Sequence, residues 1–166
     1  RGLSVSDLGF FVCDTDDNRV RKFEGDDLTY FAGTGEAGFA DGPAFIALFR
    51  QPCSVIAFRD QLVVSDTGNN KIRIISPNGM VSSFGSSSGN IDGDFTNCGF
   101  TNPCMLCVTP KDTILLSDGA THVLREIDMD AQQVSTLQPH IADSADESFI
   151  DSLLATSIEV PPLPMQ

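Results

Sequence analysis

Short apolar runs separated by polar turns set the pattern of this chain. Leu3-Ser4-Val5 alternates, Phe10-Phe11-Val12 is a run of β-formers, Val20-Arg21-Lys22-Phe23 follows, and Leu28-Thr29-Tyr30-Phe31 closes the series. Runs of this length, rich in branched and aromatic side chains and bounded by Asp, Asn and Gly, predict strands rather than helices. The intervening 14–18 and 24–27 are Asp- and Asn-rich or contain Gly, the chemistry of tight turns. The opening stretch therefore reads as a four-stranded antiparallel meander.

The same order returns twice. Strands are expected over 54–58, 62–64, 72–75 and 80–84, with Asn78-Gly79 supplying a hairpin turn, and again over 105–109, 113–116, 123–127 and 133–137. Asp66-Thr67-Gly68-Asn69-Asn70-Lys71-Ile72-Arg73-Ile74 has a counterpart 52 residues upstream, beginning at Asp14, and another 52 residues downstream, beginning at Asp118. Self-similarity at a fixed period marks stacked units, each needing a neighbour to bury its apolar faces. The units divide the chain into 1–52, 53–103, 104–157 and the start of a fourth at 158–166. The connections repeat too. Asp41-Gly42 leads to Phe49 and Pro52, and Asp92-Gly93 leads to Phe100 and Pro103. A fainter instance runs from Asp146 through Phe149 to Leu154 and Ser157, before an expected strand at 158–160 and the prolines of 161–164. Residues 44–49 read as a short helical turn whose aromatic packs onto the neighbouring strands.

Charge narrows the partners. Among 166 residues, 10 Lys and Arg stand against 23 Asp and Glu, a formal charge of −13. Such a field repels polyanions, which argues against nucleic acid and anionic membrane. No apolar run is long enough to cross a bilayer as a helix, and no leader pattern stands at Arg1. The five cysteines are odd in number, and no Asn-X-Ser/Thr occurs, which together favour an intracellular setting.

Candidate chemistry is sparse. Arg21, Arg73 and Arg125 recur at the same interval as Asp14, Asp66 and Asp118, and exact repetition favours a structural role over a site. Asp14-Thr15-Asp16-Asp17-Asn18 opens like a calcium loop, but Arg19 stands where that loop needs glycine and Gly25 where it needs glutamate. Cys104 and Cys107 have Cys-x-x-Cys spacing on a strand, where residues three apart face opposite sides. Cys53 and Cys104 hold equivalent positions after Pro52 and Pro103, which suggests packing rather than reactivity. His122 takes the turn position that Asn70 holds one unit earlier, and His140 is the only other histidine. The 85–89 segment is expected to be a flexible loop, and neither a nucleophile elbow nor a phosphate loop is present. No catalytic residue, metal ligand or cofactor is assigned.

Asp-Thr-Gly-Asn-Asn-Lys-Ile-Arg after Val63-Val64-Ser65, the strand Val81-Ser82-Ser83-Phe84 ending in Gly85, and the Gly38-Phe39-Ala40-Asp41-Gly42 connection with Phe49 and Pro52 resemble NHL-repeat β-propellers. Val134-Ser135-Thr136-Leu137 resembles the same fourth strand. The resemblance implies an all-β propeller of four-stranded antiparallel blades, commonly six around a central channel. Three blades and the start of a fourth make about half of such a ring. The ring is expected to be completed by the rest of a longer chain or by self-association. The implied function is a non-catalytic scaffold binding a protein or peptide, a basic one given the charge. The loops that differ most between units, 36–39 with Glu36 and Phe39 and 86–91 with Asn90 and Ile91, are the candidate contacts. Some members of the wider propeller family are zinc-dependent lyases or calcium-dependent lactonase-like hydrolases, so a metal site completed by missing blades or a second chain stands as the alternative. RNA binding, found in some NHL propellers, conflicts with the acidity.

Overall fold

A computed structural model describes residues 2–119 and 122–137. The expectations for 146–166, and His140, lie outside the described residues. The first sheet is formed by β1 (Leu3–Ser6), β2 (Gly9–Asp14), β3 (Arg19–Glu24) and β4 (Asp27–Ala32), paired antiparallel in chain order. There follow β5 (Gly42–Pro43), β6 (Pro52–Phe58), β7 (Gln61–Asp66), β8 (Lys71–Ile75) and β9 (Met80–Phe84), which form a five-stranded sheet in the order β5-β9-β8-β7-β6. The last sheet collects β11 (Gly93–Asp94), β13 (Pro103–Val108), β14 (Ile114–Asp118), β15 (Val123–Asp128) and β16 (Gln133–Leu137), in the order β11-β16-β15-β14-β13. Between them, β10 (Ser87–Ser88) and β12 (Gly99–Phe100) pair parallel to each other.

Each unit is thus the expected meander, and the second and third carry one strand more than the pattern announces. Gly42 pairs with Val81 and Pro43 with Met80, so the connection leaving the first sheet closes the outer edge of the second. Gly93 and Asp94 do the same for the third by pairing with Val134 and Gln133.

Strand alternation places the core between the sheets. Leu62 and Val64 face the first sheet and meet Phe11, Cys13 and Val20, with Ala47 and Phe49 of the connection filling the seam. Val63 and Ile72 face the third sheet and meet Phe100, Leu106, Ile114, Leu116 and Ile127. Both faces of the middle sheet are covered, which is why its second and third strands read as nearly unbroken apolar runs.

The connection is less helical than expected. A single turn covers 44–46, with the amides of Ile46 and Ala47 both donating to the Pro43 carbonyl. The chain then returns to extended pairing, Ala40 with Leu48 and Ala37 with Phe49. Six residues cannot hold a helix without support, and here the backbone finds partners in the preceding loop. The 85–89 segment is likewise paired rather than loose, Ser87 lying opposite Gly99. Gly33 and Gly85 start the two connections with φ of 98° and 104°. A Cβ there would come within 2.7 Å of the Asn18 carbonyl or 2.9 Å of the Phe100 ring, so the chain passes under the buried aromatic only because these residues have none.

Candidate functional site

The recurring Arg–Asp motif builds a clamp. Arg73 is fully buried on β8, and its guanidinium gathers four groups. Asp66 at the end of β7 accepts at 2.6 Å, Asp41 of the incoming connection at 2.8 Å, and the carbonyls of Leu48 and Ala40 at 2.7 and 2.6 Å. The faces of Phe39 and Phe49 lie 5.0 and 4.6 Å from it. Asp66 also accepts from the Arg50 amide, and Asp41 from the Ser83 hydroxyl. Arg125 repeats the arrangement with Asp92, Asp118, Gly99 and Ile91, the Thr136 hydroxyl replacing that of Ser83. A planar guanidinium suits this task because its five donors can be shared between strand, turn and connection.

The first copy is built differently. Arg21 binds Asp14 at 2.7 Å and Asp17 at 3.0 Å, and its guanidinium lies 4.8 Å from the ring of Tyr30, which stands where the other sheets place Ser83 and Thr136. Asp17 is claimed by Arg19 as well, so the turn that opens like a calcium loop is held by two arginines. Those bonds, Arg19 first, hold the Asp17 carboxyl below its ordinary value. Burial pushes Asp66 above the ordinary range despite bonds from Asn69, the Arg50 amide and Arg73, and burial does the same to Asp118 against the Thr101 amide and Arg125. For Asp92, the Thr136 and Arg125 contacts outweigh burial and hold the carboxyl low.

The turns and connections define one rim. Asn18, Asn70 and His122 share a left-handed backbone, with φ of 51°, 53° and 55°. The side chains of Asn18 and Asn70 accept from the amides of Gln51 and Asn102, seating each connection on the turn before it. The Thr15 and Thr67 hydroxyls donate to the carbonyls of Pro52 and Pro103, tying each turn to the next sheet. His122 is exposed. Among the described residues, no three His, Cys, Asp or Glu side chains converge as a metal-ligating group.

Glu36 and Asn90 are exposed, and Phe39 and Ile91 are about half exposed at 48% and 43%. They lie at corresponding places in successive connections rather than in one cluster. Phe39 covers Lys71 and Arg73, whereas the Ile91 carbonyl holds Arg125. Beside the first loop, Thr15, Asp16, Asn18, Ala37, Arg50 and Gln51 line an open depression of ≈ 370 Å³. Sequence reasoning passed over Arg50 and Gln51, although Gln51 and Asn102 recur before the two prolines and both adopt left-handed φ.

No family model matches the chain. NHL repeat-containing protein 2 of Homo sapiens is 33% identical over 92 residues, and the protein of the same name from Bos taurus is 32% identical over 92. In each case the match takes in 54% of this chain and 12% of the relative. An auxiliary nutrient binding protein from Bacteroides thetaiotaomicron superposes with a TM-score of 0.64 at 17% identity, covering 82% of this chain and 37% of that one. Its counterpart from Bacteroides ovatus gives 0.62 at 16%, covering 78% and 35%. At such identities the structures speak for the fold alone. In sequence the chain is similar to NHL repeat-containing proteins, and in fold it is part of a β-propeller.

Proposed function

We propose that the chain is a non-catalytic binding module, a portion of a larger propeller whose turn-and-loop rim holds a protein or peptide. The observation that carries this reading is the division of labour on the rim. The repeated Asp and Arg side chains are spent on clamping, while the loops that differ between units leave Glu36, Phe39, Asn90 and Ile91 in solvent. Exposed aromatic and aliphatic side chains next to acidic ones suit a partner with basic and apolar positions. The −13 charge would speed its encounter.

Ring completion belongs to the same proposal. The chain spans 12% of its curated relatives and 37% of a superposed propeller, and flanking blades of a longer chain or a second copy would cover its outer faces. Light scattering on the chain alone tests this, since a stable monomer would speak against both.

Binding is tested with an array of Lys- and Arg-rich peptides interspersed with aromatic residues, read by fluorescence anisotropy. The expected result is retention that weakens steeply with salt and drops at least tenfold with Glu36→Lys or Phe39→Ala. Salt-independent retention, or none, overturns the reading. So does stoichiometric zinc or calcium in the purified protein.

A further inference from the structure

The innermost strands carry a feature that the rim does not use. Cys53 on β6 and Cys104 on β13 are both half-buried, and their sulfurs lie 2.7 Å apart across the junction of the second and third sheets. Their backbones are fixed to different neighbours. The Cys53 carbonyl accepts from the Gly2 amide at 2.7 Å, whereas the Cys104 carbonyl accepts from the Ser65 hydroxyl at 2.5 Å. Next to them, the Leu106 amide donates to the Ser54 hydroxyl at 3.3 Å, and the Thr67 hydroxyl holds the Pro103 carbonyl at 2.6 Å. The two thiols are therefore held facing each other by contacts that do not involve sulfur.

We propose that Cys53 and Cys104 are a redox modification site, forming a disulfide that staples neighbouring blades at their inner strands. The oxidant is a small-molecule disulfide such as oxidised glutathione. One cysteine loses its proton to solvent, and its thiolate attacks a glutathione sulfur, expelling a glutathione thiolate. The second cysteine, deprotonated in turn, attacks the protein-bound sulfur, and a second glutathione thiolate leaves as the Cys53–Cys104 bond forms. Two protein thiols are oxidised by two electrons, one glutathione disulfide is reduced, and both protons go to the departing thiolates.

Burial, and then the neighbouring Cys53, push the Cys104 thiol up to about 11, so few Cys104 thiolates form at neutral pH and its attack is slow. Burial pushes the Cys13 thiol up to about 12, and Cys98 is buried, whereas Cys107 is exposed and reports whether the reagent is active. Opening the junction between the second and third sheets would then require reduction first.

The full chain is incubated with oxidised glutathione, and free thiols are alkylated after unfolding, followed by mass and peptide mapping. The expected product contains a Cys53–Cys104 cross-linked peptide two hydrogens lighter than the two free peptides, with glutathione carried on Cys107. Its melting temperature is roughly 10 °C above that of the reduced chain, as suits a bridge closing a loop of this length. Cys53→Ser and Cys104→Ser each abolish that difference. Glutathione on Cys107 with Cys53 and Cys104 still alkylated overturns the proposal, and so does a bridge between Cys13 and Cys53. These readouts apply to the wild-type chain, so they hold even if a serine variant folds poorly.

Discussion

Leu62 and Phe10 occupy the same place in successive sheets, paired with Ile75 and Phe23 respectively, yet Leu62 is 3% exposed and Phe10 51%. The contrast extends over the face. Val55, Val81 and Ile75 are buried, whereas their counterparts Leu3, Leu28 and Phe23 are exposed. Apolar pattern makes a face capable of burial, and a neighbouring sheet decides whether it becomes core. The arginines repeat the lesson. Arg73 receives the incoming connection and disappears beneath it, while Arg21 rests on its own turn and on Tyr30.

The sharpest way to break this comparison is to remove both arginines in separate variants. Arg73→Met leaves Asp66 buried without its ion partner, for a cost of about 3–5 kcal/mol in chemical denaturation. Arg21→Met, losing partly exposed pairs, is expected to cost at most about 1 kcal/mol. Equal costs would mean that the incoming connection adds nothing to the clamp.

Truncating the apolar pair comes next. Leu62→Ala should cost about 2–4 kcal/mol by opening a cavity in the seam, and Phe10→Ala about 0.5 kcal/mol or less if its face stands in solvent. A larger cost for Phe10→Ala, growing with protein concentration, would reveal a second copy on that face.

Acidity offers a third and smaller separation, opposite in sign for the two regions. Folded Asp66 and Asp118 keep their protons to higher pH than unfolded carboxylates, so the folded chain binds more protons in that window and loses stability as pH rises through it. Asp17, held low by Arg19 and Arg21, adds stability above its unfolded value and loses it as pH falls through its folded one. Urea denaturation across this range should show Asp66→Asn falling less than wild type as pH rises. A parallel shift at every pH would contradict the raised Asp66 value.

Much of this was legible in the chain. Short runs of β-formers such as Val63-Val64, and the alternation of Leu3-Ser4-Val5, located the meanders, because burial on one or both faces imposes its pattern locally. The repeat of Asp66 and Arg73 pointed to structure, and Asp41 and Asp92 were visible at one interval. That Asp41 completes the Arg73 clamp was not, because the pair is 32 residues apart and meets through tertiary packing. β5 and β11 left no trace, since two residues such as Gly42–Pro43 have no periodicity. Cys53 and Cys104 read as packing because equivalence in sequence says nothing of two sulfurs meeting across a junction. The rim loops around Phe39 and Ile91 were picked out as candidates by their divergence alone, which carries no information about a contact.

The outer strand that each connection lends to the following sheet has a consequence for how the chain can be cut. A fragment trimmed at the sequence period, from 53 to 103, would leave β5 behind and expose the outer edge of β9, while carrying away β11 with no sheet to join. Starting the fragment at Asp41 keeps β5, Asp41 and Phe49 with the strands they serve. The period of the chain and the extent of its second and third sheets are thus offset by one connection, and during synthesis the edge strand of each of these two sheets emerges before the strands it pairs with.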